Sequence, residues 1–334
     1  MDSLEVALAA TGAALLLGIM IYNAWVLRRN TPRRPEREQP AAPGAAAEAL
    51  REAPLPAAPA IQGQLDERID CIIPIVLEGP VSGEDIAARM PQGHRIGSKL
   101  FCVEAHHQMT GNWEPPQHGW LYDACRTGVQ LANRSGALTQ VEFSEFVIKT
   151  QALAEALGGS AECPDMKDEV NRARSLDTFA TGHDLQLALN LRARQTPWSL
   201  GFVIQQATRL GFVPGAVAGK LALPSPHAGM PHVLEISYDQ QVALAEDKDS
   251  LPLRQLVLSL DVPQIRPEEN AFESLLYAAS ALATNMDGVI TDPQGQPLTE
   301  SGLQELRQGL ESFYETLRKH ELPAGDAVTR RLFS

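Results

Sequence analysis

The sequence predicts an α+β protein in which split β-α-β units form open antiparallel sheets backed by helices, preceded by one transmembrane helix. Three observations predict it. An apolar run opens the chain, strand-like alternation gives way repeatedly to helical periodicity, and the same order of elements occurs twice.

The apolar run extends from Val6 to Leu27, broken only by the uncharged Thr11 and Asn23. As a helix, residues 6–27 would reach about 33 Å, enough to cross a hydrocarbon core. The start carries Asp2 and Glu5 and no Lys or Arg, which argues against a cleaved signal peptide. Arg28, Arg29, Arg33, Arg34 and Arg37 follow the run, so the positive-inside rule places everything after it in the cytoplasm. Residues 1–29 are therefore expected as an anchor. Residues 30–65, dominated by Pro and Ala, are expected as a linker with an r.m.s. reach of about 35 Å.

Two folded segments are expected after the linker, residues 66–181 and 182–334. In the first, Ile69, Cys71, Ile73 and Ile75 mark a strand, and Pro80-Val81-Ser82 opens a short helix from Gly83 to Met90. Strands over Lys99–Ala105, Trp120–Ala124 and Leu138–Phe143 follow, then a helix from Glu145 to Leu157, Gly158-Gly159, a short strand, Pro164, and a helix from Lys167 to Phe179. The second segment repeats this order. Leu185, Leu187, Leu189 and Leu191 alternate with mixed residues, and Pro197-Trp198-Ser199 opens a helix running to Leu210 with Gly211 as its stop. Strands over Val213–Leu223, His232–Tyr238 and Leu253–Val262 lead to a helix from Glu268 to Asn285. Asp287-Gly288, a short strand, Pro293 and a Thr299-capped helix to Lys319 complete the series. This reads as an internal duplication.

The net charge is −13, and residues 1–65 hold as many Arg as Asp and Glu, so the folded part is acidic. An acidic body repels phosphate backbones, which argues against nucleic acid as a partner. Cys71, Cys102, Cys125 and Cys163 form no metal or redox spacing and read as reduced, buried thiols. Gly215 to Lys220 lacks the spacing and the Ser or Thr of a phosphate loop. Glu104, His106 and His107 read as surface or edge residues, because a strand sends adjacent histidines to opposite faces. No catalytic residue, metal site or cofactor is expected, and the chain is not expected to be an enzyme.

Leu256-Val-Leu-Ser-Leu-Asp-Val-Pro263, the helix to Asn285, Asp287-Gly-Val-Ile-Thr-Asp292 and Pro297-Leu-Thr-Glu300 resemble the end of the C-terminal domain of ZipA-type bacterial cell-division proteins; residues 184–241 resemble its beginning. The resemblance implies a six-stranded antiparallel sheet backed by three helices, whose open face receives the C-terminal tail of FtsZ. It places that groove near Gln186, Val217, Gly219, Asp239, Gln241 and Ser259. The first half offers an alternative face at Phe101, Val103, Trp120 and Tyr122. It further implies a single-pass inner-membrane protein with a periplasmic N-terminus, held through residues 6–27, that binds FtsZ or another division protein and tethers the division ring. The other reading is a membrane-tethered scaffold of another assembly with the same fold and a different peptide partner; self-association is left open under either reading.

Overall fold

A computed structural model describes residues 64–91, 93, 95–244 and 251–334. The anchor over 6–27 and all but the end of the linker lie outside the described residues. Among the described residues no helix is long and apolar enough to cross a membrane. The described chain divides into two compact units. One holds residues 64–185 with Val262–Glu268 and Gly309–Ser334; the other holds Gln186–Asp261 and Glu269–Gln308.

The first unit begins with β1 (Asp70–Ser82), α1 (Gly83–Arg89), β2 (Arg95–Ile96), β3 (Lys99–His107), β4 (Trp113–Glu114) and β5 (Leu121–Gln130). A small hairpin of β6 (Ala132–Asn133) and β7 (Gly136–Ala137) leads to α2 (Gln140–Ala156), β8 (Gly159–Ala161) and α3 (Met166–Gly182). The sheet runs β2-β3-β5-β1-β8 with β4 on β3, and every pairing is antiparallel. Alternation decides which side is buried. Cys71, Ile73 and Ile75 of β1, Phe101 and Val103 of β3 and Cys125 and Val129 of β5 point inward, joining Phe143, Phe146 and Leu153 of α2 and Val170 and Ala173 of α3 in one core. Each fully buried Ile or Phe there is worth about 1.5–3 kcal/mol.

Leu138–Phe143, expected as a strand, is instead the start of α2. The Thr139 hydroxyl accepts from the Glu142 N–H at 3.2 Å, and Glu142 Oε2 accepts from the Thr139 N–H at 2.9 Å, a capping box that starts the helix before its apolar stripe is evident. The strand expected over Trp120–Ala124 is β5, which begins at Leu121 and continues to Gln130 because Thr127 and Val129 extend the inward face.

The C-terminus completes this unit. Helix α8 (Ala327–Leu332) and the residues around it bring Leu317, Leu322, Ala324, Leu332 and Phe333 against Ile69, Ala132 and Ala180. Arg331, 2% exposed, places Nη2 2.6 Å from Asp70 Oδ1, and its Nη1 donates to the Gln64 carbonyl. Burial pushes the Asp70 carboxyl up, against which the Arg331 guanidinium works. The compact units therefore do not follow the linear division at 181/182, since residues 309–334 pack with the first half of the chain.

The second unit contains β9 (Gln186–Ala193), α4 (Leu200–Arg209), β10 (Val213–Pro214), β11 (Lys220–Leu223), β12 (Leu234–Ser237), α5 (Gln240–Leu244), β13 (Gln255–Asp261), α6 (Ala271–Met286), β14 (Gly288–Thr291) and the first part of α7 (Glu300–Lys319). Its sheet runs β10-β11-β12-β13-β9-β14, again antiparallel throughout. Trp198 is fully buried and donates from Nε1 to the Met286 carbonyl at 2.7 Å, while Ser199 caps α4 through the Phe202 N–H at 3.2 Å. The expected strand Val213–Leu223 is two short strands, because Gly219 adopts a φ of +88° in the turn between them.

The two sheets share a strand order. Matching β1 with β9, β5 with β13, β3 with β12, β2 with β11 and β8 with β14 makes β2-β3-β5-β1-β8 equivalent to β11-β12-β13-β9-β14.

Candidate functional site

In the second unit, register assigns each side chain to a face. Leu187, Leu189 and Leu191 oppose Leu260, Leu258 and Leu256, and Ile236 opposes Leu258. Leu191, Leu256 and Leu258 are fully buried beside Leu275 and Leu282 of α6. The outer face carries Gln186, Ala188, Asn190 and Arg192 opposite Asp261, Ser259, Val257 and Gln255, with Ser237 and Glu235 alongside. This face is mostly polar. Lys220 Nζ lies 2.9 Å from a Glu235 carboxylate oxygen, and Asn190 donates to the Asp292 carbonyl at 3.1 Å and accepts from Gln255 Nε2 at 3.1 Å. Asn190 itself is buried.

Of the residues expected to form the groove, Gln186 and Ser259 share the outer face on β9 and β13. Val217 and Gly219 lie in the turn between β10 and β11, where Val217 is 51% exposed. Asp239 and Gln241 start α5, with Asp239 Oδ1 accepting from the Gln241 N–H at 2.8 Å, and the Tyr238 N–H donates to the Gly219 carbonyl at 2.9 Å. The structure thus gathers Gly219, Asp239 and Gln241 at one end of the sheet and Gln186 and Ser259 on its outer surface. Val217 is the one large apolar side chain among the six.

The alternative face in the first unit requires correction. Phe101, Val103 and Tyr122 are 2%, 5% and 0% exposed; they point inward with the odd positions of β1, so they form core and no open surface. Trp120 is exposed and stands 4.8 Å from the His107 ring. Glu104 and His107, expected at the surface, are buried. Glu104 accepts from the Leu65 N–H at 2.7 Å and from Arg126 Nη2 at 2.6 Å. His107 Nδ1 accepts from the Met109 and Thr110 N–H groups.

The outer face of this first sheet instead carries Ile72, Pro74 and Val76 on β1, Ala124 and Arg126 on β5, and Glu104 and His106 on β3, with Trp113 paired beside His106. Arg126 lies 4.4 Å from the Trp113 ring centroid, and His106 Nδ1 is 2.6 Å from Asp123 Oδ1. Sequence reasoning missed Pro74, Trp113 and Arg126. The available signal was the run Ile72-Ile73-Pro74-Ile75-Val76, apolar on both faces where a half-buried strand should alternate.

Together the two units define an open-faced α+β architecture whose sheets each bury one side under helices. Residues 244–309, from the end of α5 through β13, α6, β14 and half of α7, match the family described as ZipA, C-terminal FtsZ-binding domain. No curated protein matches the chain.

Proposed function

We propose that this chain is a membrane-anchored division adaptor that binds the C-terminal tail of FtsZ and tethers the division ring to the inner membrane. The observation carrying this reading is the match of residues 244–309 to the ZipA C-terminal FtsZ-binding domain, on strands and helices of a six-stranded open sheet. The outer face of the second unit receives the tail near Gln186, Val217, Gly219, Asp239, Gln241 and Ser259. Such a face gains affinity from a few buried apolar anchors, each worth about 1.5–3 kcal/mol, and Val217 supplies one. Binding is accordingly weak, with Kd on the order of micromolar or above.

Residues 6–27 cross the membrane once, with the N-terminus periplasmic and the folded units cytoplasmic. The chain acts as an adaptor without catalysis. The matching strand orders, and the Gly158-Gly159 and Asp287-Gly288 pairs that lead into β8 and β14, support an origin of both units by duplication.

The full chain in nanodiscs, titrated with the FtsZ tail peptide, tests this. Weak saturable binding, abolished by Val217→Asp in a folded variant, is expected; no binding at several hundred micromolar would falsify the FtsZ-tail reading. A reporter active only in the periplasm, fused after Ser334 through a flexible linker, should be silent. The polar outer face, with its Lys220–Glu235 ion pair, favours as second reading a tethered scaffold with another peptide partner.

A further inference from the structure

An open surface with apolar residues lies on the first unit, in the sheet that the family match does not cover. Beside β1 there is a recess of ≈ 340 Å³ lined by Glu67, Ile72, Pro74, Trp113, Arg126 and Pro164. Val76, the next outward residue on β1, is 56% exposed. At one end of this face the chain shows how a polypeptide sits on it. Leu65 is 6% exposed and covers Gly128, where a Cβ would come within 2.2 Å of the leucine side chain. Its N–H donates to Glu104 Oε1 at 2.7 Å. One aliphatic side chain over the sheet and one backbone hydrogen bond to a strand residue therefore fit here.

The charges around the recess favour one kind of visitor. Its cations are engaged: Arg126 binds Glu104 Oε2 through both Nε and Nη2 at 2.8 and 2.6 Å, and Arg172 binds Glu169 at 3.1 Å as well as the Asp70 carbonyl. The anions are in excess. Glu67 makes no ion pair among the described residues, and Glu169 Oε2 is buried without a hydrogen bond. Residues 64–185 hold 18 Asp and Glu against 10 Lys and Arg, a net charge of −8. An acidic peptide is repelled by such a surface and a basic one attracted.

We infer that the outer face of the first sheet docks an extended segment of a partner protein in which an aliphatic or prolyl residue adjoins a lysine or arginine. The apolar residue seats against Ile72, Pro74 and Trp113, much as Leu65 seats over Gly128, and the cation pairs with Glu67 at the rim. This site is separate from the face assigned above to the FtsZ tail and does not depend on that assignment.

The test uses the full chain in neutral nanodiscs, titrated by calorimetry with a capped peptide of Pro-Leu-Lys repeats and with its Pro-Leu-Glu counterpart. The lysine peptide should bind at least about tenfold more tightly than the glutamate peptide. Trp113→Ala and Glu67→Lys should each weaken it about tenfold, and Val217→Asp should leave it unchanged. Glu67 is exposed, so its variant keeps the test decisive if Trp113→Ala fails to fold. Equal binding of both peptides, binding that survives both variants, or none at millimolar peptide overturns the inference. A dimer abolished by Trp113→Ala would assign the face to a second copy instead. Trp113-dependent protection of residues 1–63 from hydrogen exchange would assign it to the chain's own N-terminal part. Either outcome overturns a partner segment as its occupant.

Discussion

Asp70 and Arg331 sit far apart in sequence and are almost completely buried together, 0% and 2% exposed. Replacing one member strands the other. Arg331→Met should destabilise the first unit by about 3–5 kcal/mol in urea unfolding, and adding Asp70→Leu should recover part of that loss. The pH dependence of the single variant follows from the direction in which burial moves Asp70. A carboxyl raised above its unfolded-state value contributes stability that is complete below about pH 3.9 and is lost as pH rises through the raised value. The deficit of Arg331→Met should therefore shrink as pH falls towards 4; a deficit that grows would refute the assignment. The cysteines give a second residue-level expectation. Burial pushes Cys102 up to about 11 and Cys125 up to about 12, with Cys71 higher still, whereas Cys163 is exposed and raised to a lesser extent. Alkylation at pH 8 followed by mass spectrometry should label Cys163 first, and rapid labelling of native Cys71 or Cys125 would contradict the packing. The cysteines were expected to be buried alike, but their burial is not uniform: Cys71 and Cys125 are buried, Cys102 is half-buried and Cys163 is exposed between β8 and α3.

Helix starts were the most readable elements, because a cap is a local event. Ser82, Ser199 and Thr299 accept from the N–H groups of Asp85, Phe202 and Gly302, as their positions ahead of apolar periodicity suggested. The failure at Leu138–Phe143 is instructive for the same reason: Thr139 and Glu142 form a complete capping box, but Val141 and Phe143 imitate a strand. Thr139→Ala should cost about 1 kcal/mol and shorten α2, observable as earlier hydrogen exchange in its first turn. Gly219 marks where a strand expectation had to break. At φ +88°, with a Cβ position 3.1 Å from the Tyr238 carbonyl oxygen, Gly219→Ala should destabilise the second unit by about 1–2 kcal/mol. An unchanged midpoint would mean that the turn relaxes easily.

For the whole molecule, the C-terminal residues belong with the first half of the described chain. Leu317, Leu322, Leu332 and Phe333 share a cluster with Ile69 and Ala180, and Gln264 Nε2 donates to the Arg330 and Phe333 carbonyls at 3.1 and 2.7 Å. A chain ending at Gln308 should lose the unfolding transition of the first unit while Trp198 keeps its buried environment; a retained transition would show that residues 64–185 fold unaided. By itself the sequence determined the α+β class, the antiparallel sheets and the likeness of the later stretch to the ZipA C-terminal domain, because each rests on local periodicity, capping or short ordered strings. The tertiary structure alone decided that residues 309–334 close the first unit, that Phe101, Val103 and Tyr122 are core, and that an apolar recess opens around Pro74 and Trp113. Period two divides a strand into two faces but does not say which one the helices cover, and that choice was made by α2, α3 and α8, contributed from distant parts of the chain.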